Sequence, residues 1–248
     1  MHLSIIIPVF NEVKLLPEIL FRIIRDTKKI NKEIIIVDDN SNDGTKEWLL
    51  GISKKYNNIN IKKNKLSFSK KNISNLKILF KKKNEGKGSA IIIGLKKVTK
   101  DIIVIQDSDL EYMPKDLNKM FNLINNKDAD IVYGNRFSSK KNKYHYFFYA
   151  IGNYLLSAFV RILFRIKISD VAVCYKMFDK KVIKDLTFFS KDFNFDFEFT
   201  SKVLKQKKWN FSEVDILYQG RTFDQGKKIS WLDGFRALFV ILKVKFFS

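Results

Sequence analysis

Apolar and polar positions alternate along the chain in a rhythm that predicts its elements. Leu3–Val9 is an apolar segment closed by Asn11-Glu12, as expected of a strand buried on both faces of a parallel sheet. Leu15, Leu16, Ile19, Leu20, Ile23 and Ile24 then recur at helical spacing. Glu33–Val37 predicts a second strand, and Asn42 or Asp43 the N-cap of a helix through Trp48, Leu49 and Ile52. Further on come a strand at Leu76–Phe80, a helix at Ser89–Val98, a strand at Ile102–Ile105, a helix from Pro114 to Asn126 and a strand at Ala129–Tyr133. Strands alternating with helices imply an α/β domain with right-handed crossovers. Residues 53–75 break the rhythm. Rich in Lys, Asn and Ser, they read as a long, mobile surface excursion with one short strand, Ile59–Ile61.

The second half carries a different pattern. Tyr144, Tyr146, Phe147, Phe148 and Tyr149 precede an apolar run through residue 168. If that run is helical, Arg161 and Arg165 share one face, and Leu155, Phe159, Ile162 and Ile166 the other. The pattern fits an interfacial helix lying on a membrane and a helix lying on the core equally well. Residues 231–248 repeat it, with Trp231, Phe235, Leu238, Leu242 and Phe246 against Arg236 and Lys243. Two such elements in a chain of formal charge +21 favour a membrane surface. No apolar run reaches the roughly 18–20 residues needed to span a bilayer.

Composition narrows the class. The 248 residues are 46% hydrophobic and 29% charged, which describes a globular protein of one large α/β domain or two small ones. The positive charge points to an anionic partner, although abundant Lys, Asn and Ile give a bland compositional source for it. A single cysteine, Cys174, excludes an internal disulfide framework. Met1-His2-Leu3-Ser4 runs straight into a strand rather than a secretory signal. The expected setting is cytoplasmic, with peripheral association with the cytoplasmic face of a membrane. Nucleic acid is not an expected partner, because no recognised module is present and acidic strand ends repel phosphate. His2 and His145 read as surface residues.

Those acidic strand ends are the candidate chemistry. The predicted strands end in Glu12, Asp39, Asp107, Asp109 and Glu111, joined by Arg136. Open α/β sheets bind ligands at the carboxyl edge of their strands. Crowded carboxylates raise one another's pKa values, and a hard divalent cation relieves that repulsion. Asp107-Ser108-Asp109 alone is too common a pattern to prove a metal site. Gly86-Lys87-Gly88 opens a helix and lacks the Walker pattern; a lysine there can approach phosphate, and by itself the stretch reads as a turn.

Taken together, Pro8-Val9-Phe10-Asn11-Glu12, Val37-Asp38-Asp39-Asn40-Ser41-Asn42-Asp43-Gly44-Thr45, Asn84-Glu85-Gly86-Lys87-Gly88, Asp107-Ser108-Asp109-Leu110-Glu111 and Gly134-Asn135-Arg136-Phe137 resemble the family 2 glycosyltransferases in order and spacing. Within that family the chain is most similar to the dolichyl- and polyprenyl-phosphate sugar transferases, of the dolichol-phosphate mannose synthase type. Ser169-Asp170 through Phe178, Phe193–Glu198, Tyr218–Arg221 and Gly226–Ile229 extend the match over nearly the whole chain. The resemblance implies a Rossmann-like GT-A domain over 1–229, with interfacial helices at 144–168 and an amphipathic tail at 230–248.

It also implies roles. Pro8, Phe10, Glu12, Val37 and Asp39 would hold the nucleobase and ribose of a GDP- or UDP-sugar. Asp107, Ser108 and Asp109 would meet its diphosphate, and Asp107, Asp109 and Glu111 would ligate Mg²⁺ or Mn²⁺. Arg136 and Arg221 would bind phosphate, and Lys87 and Lys227 would contact the donor. The implied reaction is an inverting transfer of sugar to a polyprenyl (dolichyl or undecaprenyl) phosphate at the membrane surface. That acceptor is already ionised, so no general base is required. The alternative is a saccharide or glycolipid acceptor in cell-surface polysaccharide synthesis, with Asp196 or Glu198 as base. Two departures from the family stand out: the long 53–75 excursion, and Ala172-Val173 in place of a more polar pair.

Overall fold

Four β-rich runs set the frame of the computed structural model, which describes residues 1–71, 75–138, 142, 147–222 and 231–247. These are β1 (Leu3–Val9), β2 (Lys32–Asp38), β5 (Leu76–Phe80) and β6 (Ile102–Ile105), all parallel to one another. Every residue of β1 and β6 is buried, as strands covered on both faces require. With β7 (Ile131–Asn135), β8 (Lys176–Asp179) and β9 (Phe211–Asp215) they form a seven-stranded sheet ordered β5-β2-β1-β6-β8-β7-β9. β8 alone runs antiparallel to its neighbours, β6 and β7. Consequently the segments following β1, β2, β5, β6 and β7 all emerge at one edge, and the strand-end acids meet there.

Helices cover the sheet. α1 (Leu16–Asp26) turns Leu16, Ile19, Leu20, Ile23 and Ile24 inward, as their spacing predicts. α4 (Leu117–Asn125) buries Leu117, Met120, Phe121 and Ile124, after a 3-10 turn at Pro114–Asp116. α2 (Thr45–Ser53) is capped at Gly44 with φ +100°, and neither Asn42 nor Asp43 is its N-cap. Asp43 instead accepts from the backbone and hydroxyl of Thr45 and from the Val13 N–H. A left-handed cap residue is a glycine role that side-chain capping rules do not foresee. α3 (Lys87–Leu95) begins two residues before the expected Ser89 and ends before Val98.

The segment expected as an excursion with one short strand holds two strands among its described residues. β3 (Asn58–Lys62) and β4 (Lys65–Ser69) pair as an antiparallel hairpin. Ile59 is buried, and Phe68 meets Trp48 edge-on and Tyr56 in a stack. Phe68 and Ile59 seat a ribbon in which most other residues are polar, a pattern too sparse to register as alternation.

α5 (Phe147–Phe164), α6 (Phe195–Lys205) and α7 (Trp231–Phe247) pack against one another, and α6 meets the sheet through Phe199 on Phe178 of β8 and Thr200 on Tyr133 of β7. α5 buries Ser157, Val160 and Phe164, with Phe159 and Ile166 packed beside the core, while Ile151, Tyr154, Leu155 and Ile162 are exposed. The expected apolar face is therefore split: half of it packs inward and half faces solvent. Arg165 lies beyond the helix at φ +55°, so it does not share a helical face with Arg161, whose guanidinium lies over the Tyr154 ring. α7 buries Ala237, Val240, Ile241 and Val244 and exposes Leu232, Phe235, Phe239, Phe246 and Phe247. Among the described residues, no helix is long and apolar enough to cross a membrane. His145 and the aromatic side chains at 144–149 and 231 lie outside the described residues; His2 is exposed.

Candidate active site

Asp39, at the end of β2, organises the turn after β5. Its carboxylate pairs with the Lys81 ammonium and accepts from the backbone N–H groups of Glu85 at 3.1 Å and Gly86 at 2.7 Å. This turn tolerates no side chain. A Cβ on Gly86 (φ +97°) would lie 2.7 Å from the Lys191 carbonyl, and one on Gly88 would lie 2.5 Å from the Ser190 carbonyl. The result is that Lys87 enters the sheet edge on a fixed backbone.

There its ammonium lies 2.8 Å from Asp107 Oδ1 and 3.5 Å from Asp196 Oδ2. Asp196 in turn holds Lys176, which is fully buried, at 2.7 Å. Lys176 also donates to the Val173 carbonyl and lies 5.2 Å from the centre of the Tyr133 ring. Burial alone would lift the Asp196 carboxyl, but Lys176 and Lys87 outweigh it and hold the group below the usual carboxylate range. Burial likewise works against the charge on Lys87, and Asp107, with Asp196 nearby, overrides it. Lys87 and Asp196 are thus both held in their charged forms, in a row of ion pairs that runs Asp107–Lys87–Asp196–Lys176.

A second cluster sits beside it. Arg221 spans three carboxylates: Nη1 to Glu12 Oε1 at 2.8 Å, Nη2 to Asp109 Oδ2 at 2.8 Å, and Nε to Glu111 Oε1 at 3.7 Å. Glu111 also accepts the Arg221 backbone N–H at 2.8 Å and the Tyr218 hydroxyl at 3.0 Å. Burial and the neighbouring Asp107 and Glu111 push the Asp109 carboxyl up to about 7, even with Arg221 pulling it down. As the side chains stand, no group of three or more carboxylate, histidine or cysteine residues among the described ones is disposed to hold a metal ion. The reason is visible, since a guanidinium lies among them. The donor set is oxygen-only and rich in carboxylates, which is the ligand chemistry of Mg²⁺ or Mn²⁺.

Other expected site residues fall differently. Arg136 has its fork on Asp170, so the carboxylate there takes the face expected to grip phosphate. Its guanidinium also lies over the Tyr218 ring. Val37 is fully buried in β2 and Pro8 is buried in β1, so neither side chain lines an open pocket. Phe10 is half-buried, and Ser108 is buried within the Asp107–Asp109 turn. Glu198 is no free base: it accepts from Phe189 N and Ser190 N and pairs with Lys202 at 2.7 Å. Lys227 lies outside the described residues. Sequence reasoning missed Lys81, hidden in a run of three lysines, and the buried Lys176, which only its place beside Cys174-Tyr175 hinted at.

Comparisons with known proteins agree with this architecture. Residues 4–187 match the family described as Glycosyl transferase family 2. A dolichol-phosphate mannosyltransferase of Pyrococcus furiosus is 33% identical over 137 residues, covering 55% of this chain and 34% of the relative. The chain thus spans about a third of that relative's length. Glucosyl-3-phosphoglycerate synthase of Mycobacterium tuberculosis, crystallised with Mn²⁺, UDP and phosphoglyceric acid, superposes with a TM-score of 0.69 at 12% identity, covering 100% of this chain and 79% of that one. TarS 1–349 of S. aureus with UDP superposes at 0.63 with 18% identity, covering 98% and 65%. The mostly parallel sheet, the acids gathered at its carboxyl edge and the family match over residues 4–187 lead to one conclusion: this chain belongs to glycosyl transferase family 2 and has the GT-A fold.

Proposed function

We propose that the protein transfers a sugar from a GDP- or UDP-sugar to a polyprenyl phosphate at a membrane surface, with inversion at the anomeric carbon. The observation that carries the choice of acceptor is Asp196 held between Lys87 and Lys176. A carboxylate of lowered basicity in two ion pairs is a poor proton acceptor, and Glu198 is likewise engaged. A phosphate monoester brings its own negative oxygen and needs no base. The exposed apolar rows of α5 and α7 support an acceptor that is itself in a lipid layer.

In this reading, Glu12, Phe10 and Asp39 border the nucleoside, with Pro8 and Val37 supplying buried backing. Lys87 faces the diphosphate beside Asp107. Arg221 and Arg136 are the cationic groups for the phosphates of donor and acceptor. Asp107, Asp109 and Glu111 would hold Mg²⁺ or Mn²⁺, which when bound neutralises charge on the leaving diphosphate. The Mn²⁺ and UDP bound to the mycobacterial relative of the fold are consistent with this chemistry. The polyprenyl acceptor draws its support from the dolichol-phosphate mannosyltransferase similarity. A screen of GDP- and UDP-sugars against undecaprenyl and dolichyl phosphate, with and without Mn²⁺, tests it. Transfer to a saccharide acceptor but to neither lipid phosphate would replace this reading with the alternative one.

A further inference from the structure

We propose that Arg221 is the resident counter-cation of the carboxylate cluster, occupying Asp109 and Glu111, two of the three carboxylates expected to ligate the divalent cation, until donor and metal displace it. This rests on the reading that these carboxylates take a metal. A guanidinium and a hard cation compete for the same oxygen lone pairs. Asp109 Oδ2 is committed to Nη2, Glu111 Oε1 to the Arg221 backbone N–H, and Glu111 Oε2 to the Tyr218 hydroxyl. Asp109 Oδ1 accepts the Glu111 N–H. The four carboxylate oxygens of Asp109 and Glu111 are thus each engaged by a donor, and three of those four donors belong to the segment from Tyr218 to Arg221; Asp107, the third expected ligand, is held by Lys87 instead.

That segment is fastened independently of the side chain. Tyr112 and Tyr218 form an antiparallel bridge, and the Gln219 N–H donates to the Glu111 carbonyl at 2.9 Å. The guanidinium can therefore leave while its backbone stays at the site. One positive charge against Glu12, Asp109 and Glu111 leaves the cluster under-neutralised, so a dication satisfies it better than Arg221 does. Displacing Arg221 without offering it a new anion is costly, because a half-buried guanidinium loses its partners. A nucleoside diphosphate offers that anion. Metal and nucleotide should accordingly bind with positive coupling, each enhancing the other by the same factor.

Mn²⁺ titration followed by electron paramagnetic resonance, without sugar transfer, tests the proposal on wild type, Arg221→Gln and Arg221→Lys. In wild type, UDP or GDP should tighten Mn²⁺ binding at least about tenfold, which is 1.4 kcal/mol of coupling. Without nucleotide, Arg221→Gln should bind Mn²⁺ at least about tenfold more tightly than wild type and gain less from nucleotide, with Arg221→Lys between the two. If Arg221→Gln fails to fold by circular dichroism, the Lys variant carries the same comparison. Unchanged or weaker Mn²⁺ binding in a folded variant, while wild type binds Mn²⁺ with nucleotide, overturns the displacement and leaves the metal reading intact. No Mn²⁺ binding by any form, with either nucleotide, overturns both.

Discussion

Asp170 grips Arg136 with both carboxylate oxygens, Oδ2 to Nε at 2.6 Å and Oδ1 to Nη2 at 2.8 Å, in a fully buried setting. Asn153 on α5 adds a hydrogen bond to Oδ1 at 2.9 Å, so this carboxylate ties the helix with the exposed apolar row to an arginine at the sheet edge. Removing one partner of a buried ion pair strands the other charge. Asp170→Asn should therefore cost about 3 kcal/mol of stability, on the scale of broken buried pairs, measured as a lowered urea midpoint. A variant as stable as wild type would mean that water or another anion reaches Arg136.

The same pair sets an acid dependence. Burial raises the Asp170 carboxyl, but Arg136 and Asn153 outweigh it and hold the group below its ordinary value. A folded pKa below the unfolded one stabilises fully above the unfolded value, about 3.9, and the contribution disappears as pH falls through the folded value. The stability gap between wild type and Asp170→Asn should thus be largest near neutral pH and shrink below about pH 4. Urea titrations at three pH values read this directly; a gap that widens in acid would reverse the assigned sign.

Arg221 and Arg136 should respond differently to lysine. Arg221→Lys keeps charge and loses the fork that spans Glu12 and Asp109. A fall in kcat/KM of about tenfold or more is expected, equivalent to about 1.4 kcal/mol of transition-state stabilisation. Arg136→Lys should lose stability as well as rate, because its fork is engaged by Asp170. Steady-state kinetics with paired melting curves separate the two, and wild-type rates in both variants would remove the phosphate role.

Gly88→Ala tests whether the turn aims Lys87. The new Cβ would lie 2.5 Å from the Ser190 carbonyl, 2.8 Å from the Asp192 carbonyl and 2.8 Å from Phe195 Cβ. Two of these are backbone atoms, so the segment must shift. A loss of about 1–3 kcal/mol is the usual cost of overpacking, with KM for the donor rising as Lys87 moves off Asp107. An unchanged melt and unchanged KM would show that the turn yields freely.

Leu155→Ser with Phe239→Ser addresses the exposed rows. These side chains are 61% and 66% exposed, so folding stability should change by less than about 0.5 kcal/mol per site. Partition into anionic vesicles should fall about tenfold or more, since burying a large apolar side chain is worth roughly 1.5–3 kcal/mol. Flotation at two salt concentrations checks this and reveals any screened electrostatic part. Equal binding by variant and wild type would remove these rows from the membrane contact.

Much of the frame was legible along the chain. Runs such as Ile5-Ile6-Ile7 and Ile102–Ile105 are buried on both faces, and burial on both faces leaves only apolar side chains in sequence, so those strands declare themselves locally. The α1 stripe does the same through its period. The acids at the strand ends were equally plain, because a parallel sheet delivers its carboxyl ends to one edge. Pairing is another matter. The motif around Arg136 implies a phosphate ligand, and only the fold brings Asp170 to it from the far side of α5. Lys176 falls within the matching stretch from Ser169 to Phe178, but only the fold shows that it is buried against the Asp196 carboxylate. Local pattern encodes which face of an element is apolar; which cation meets which anion depends on distances between elements, and those exist only after the chain has folded. The split apolar face of α5 has the same origin. Its sequence offered one row of large side chains, and packing against α6 and α7 decided which of them, Phe159 or Ile162, stayed in contact with solvent.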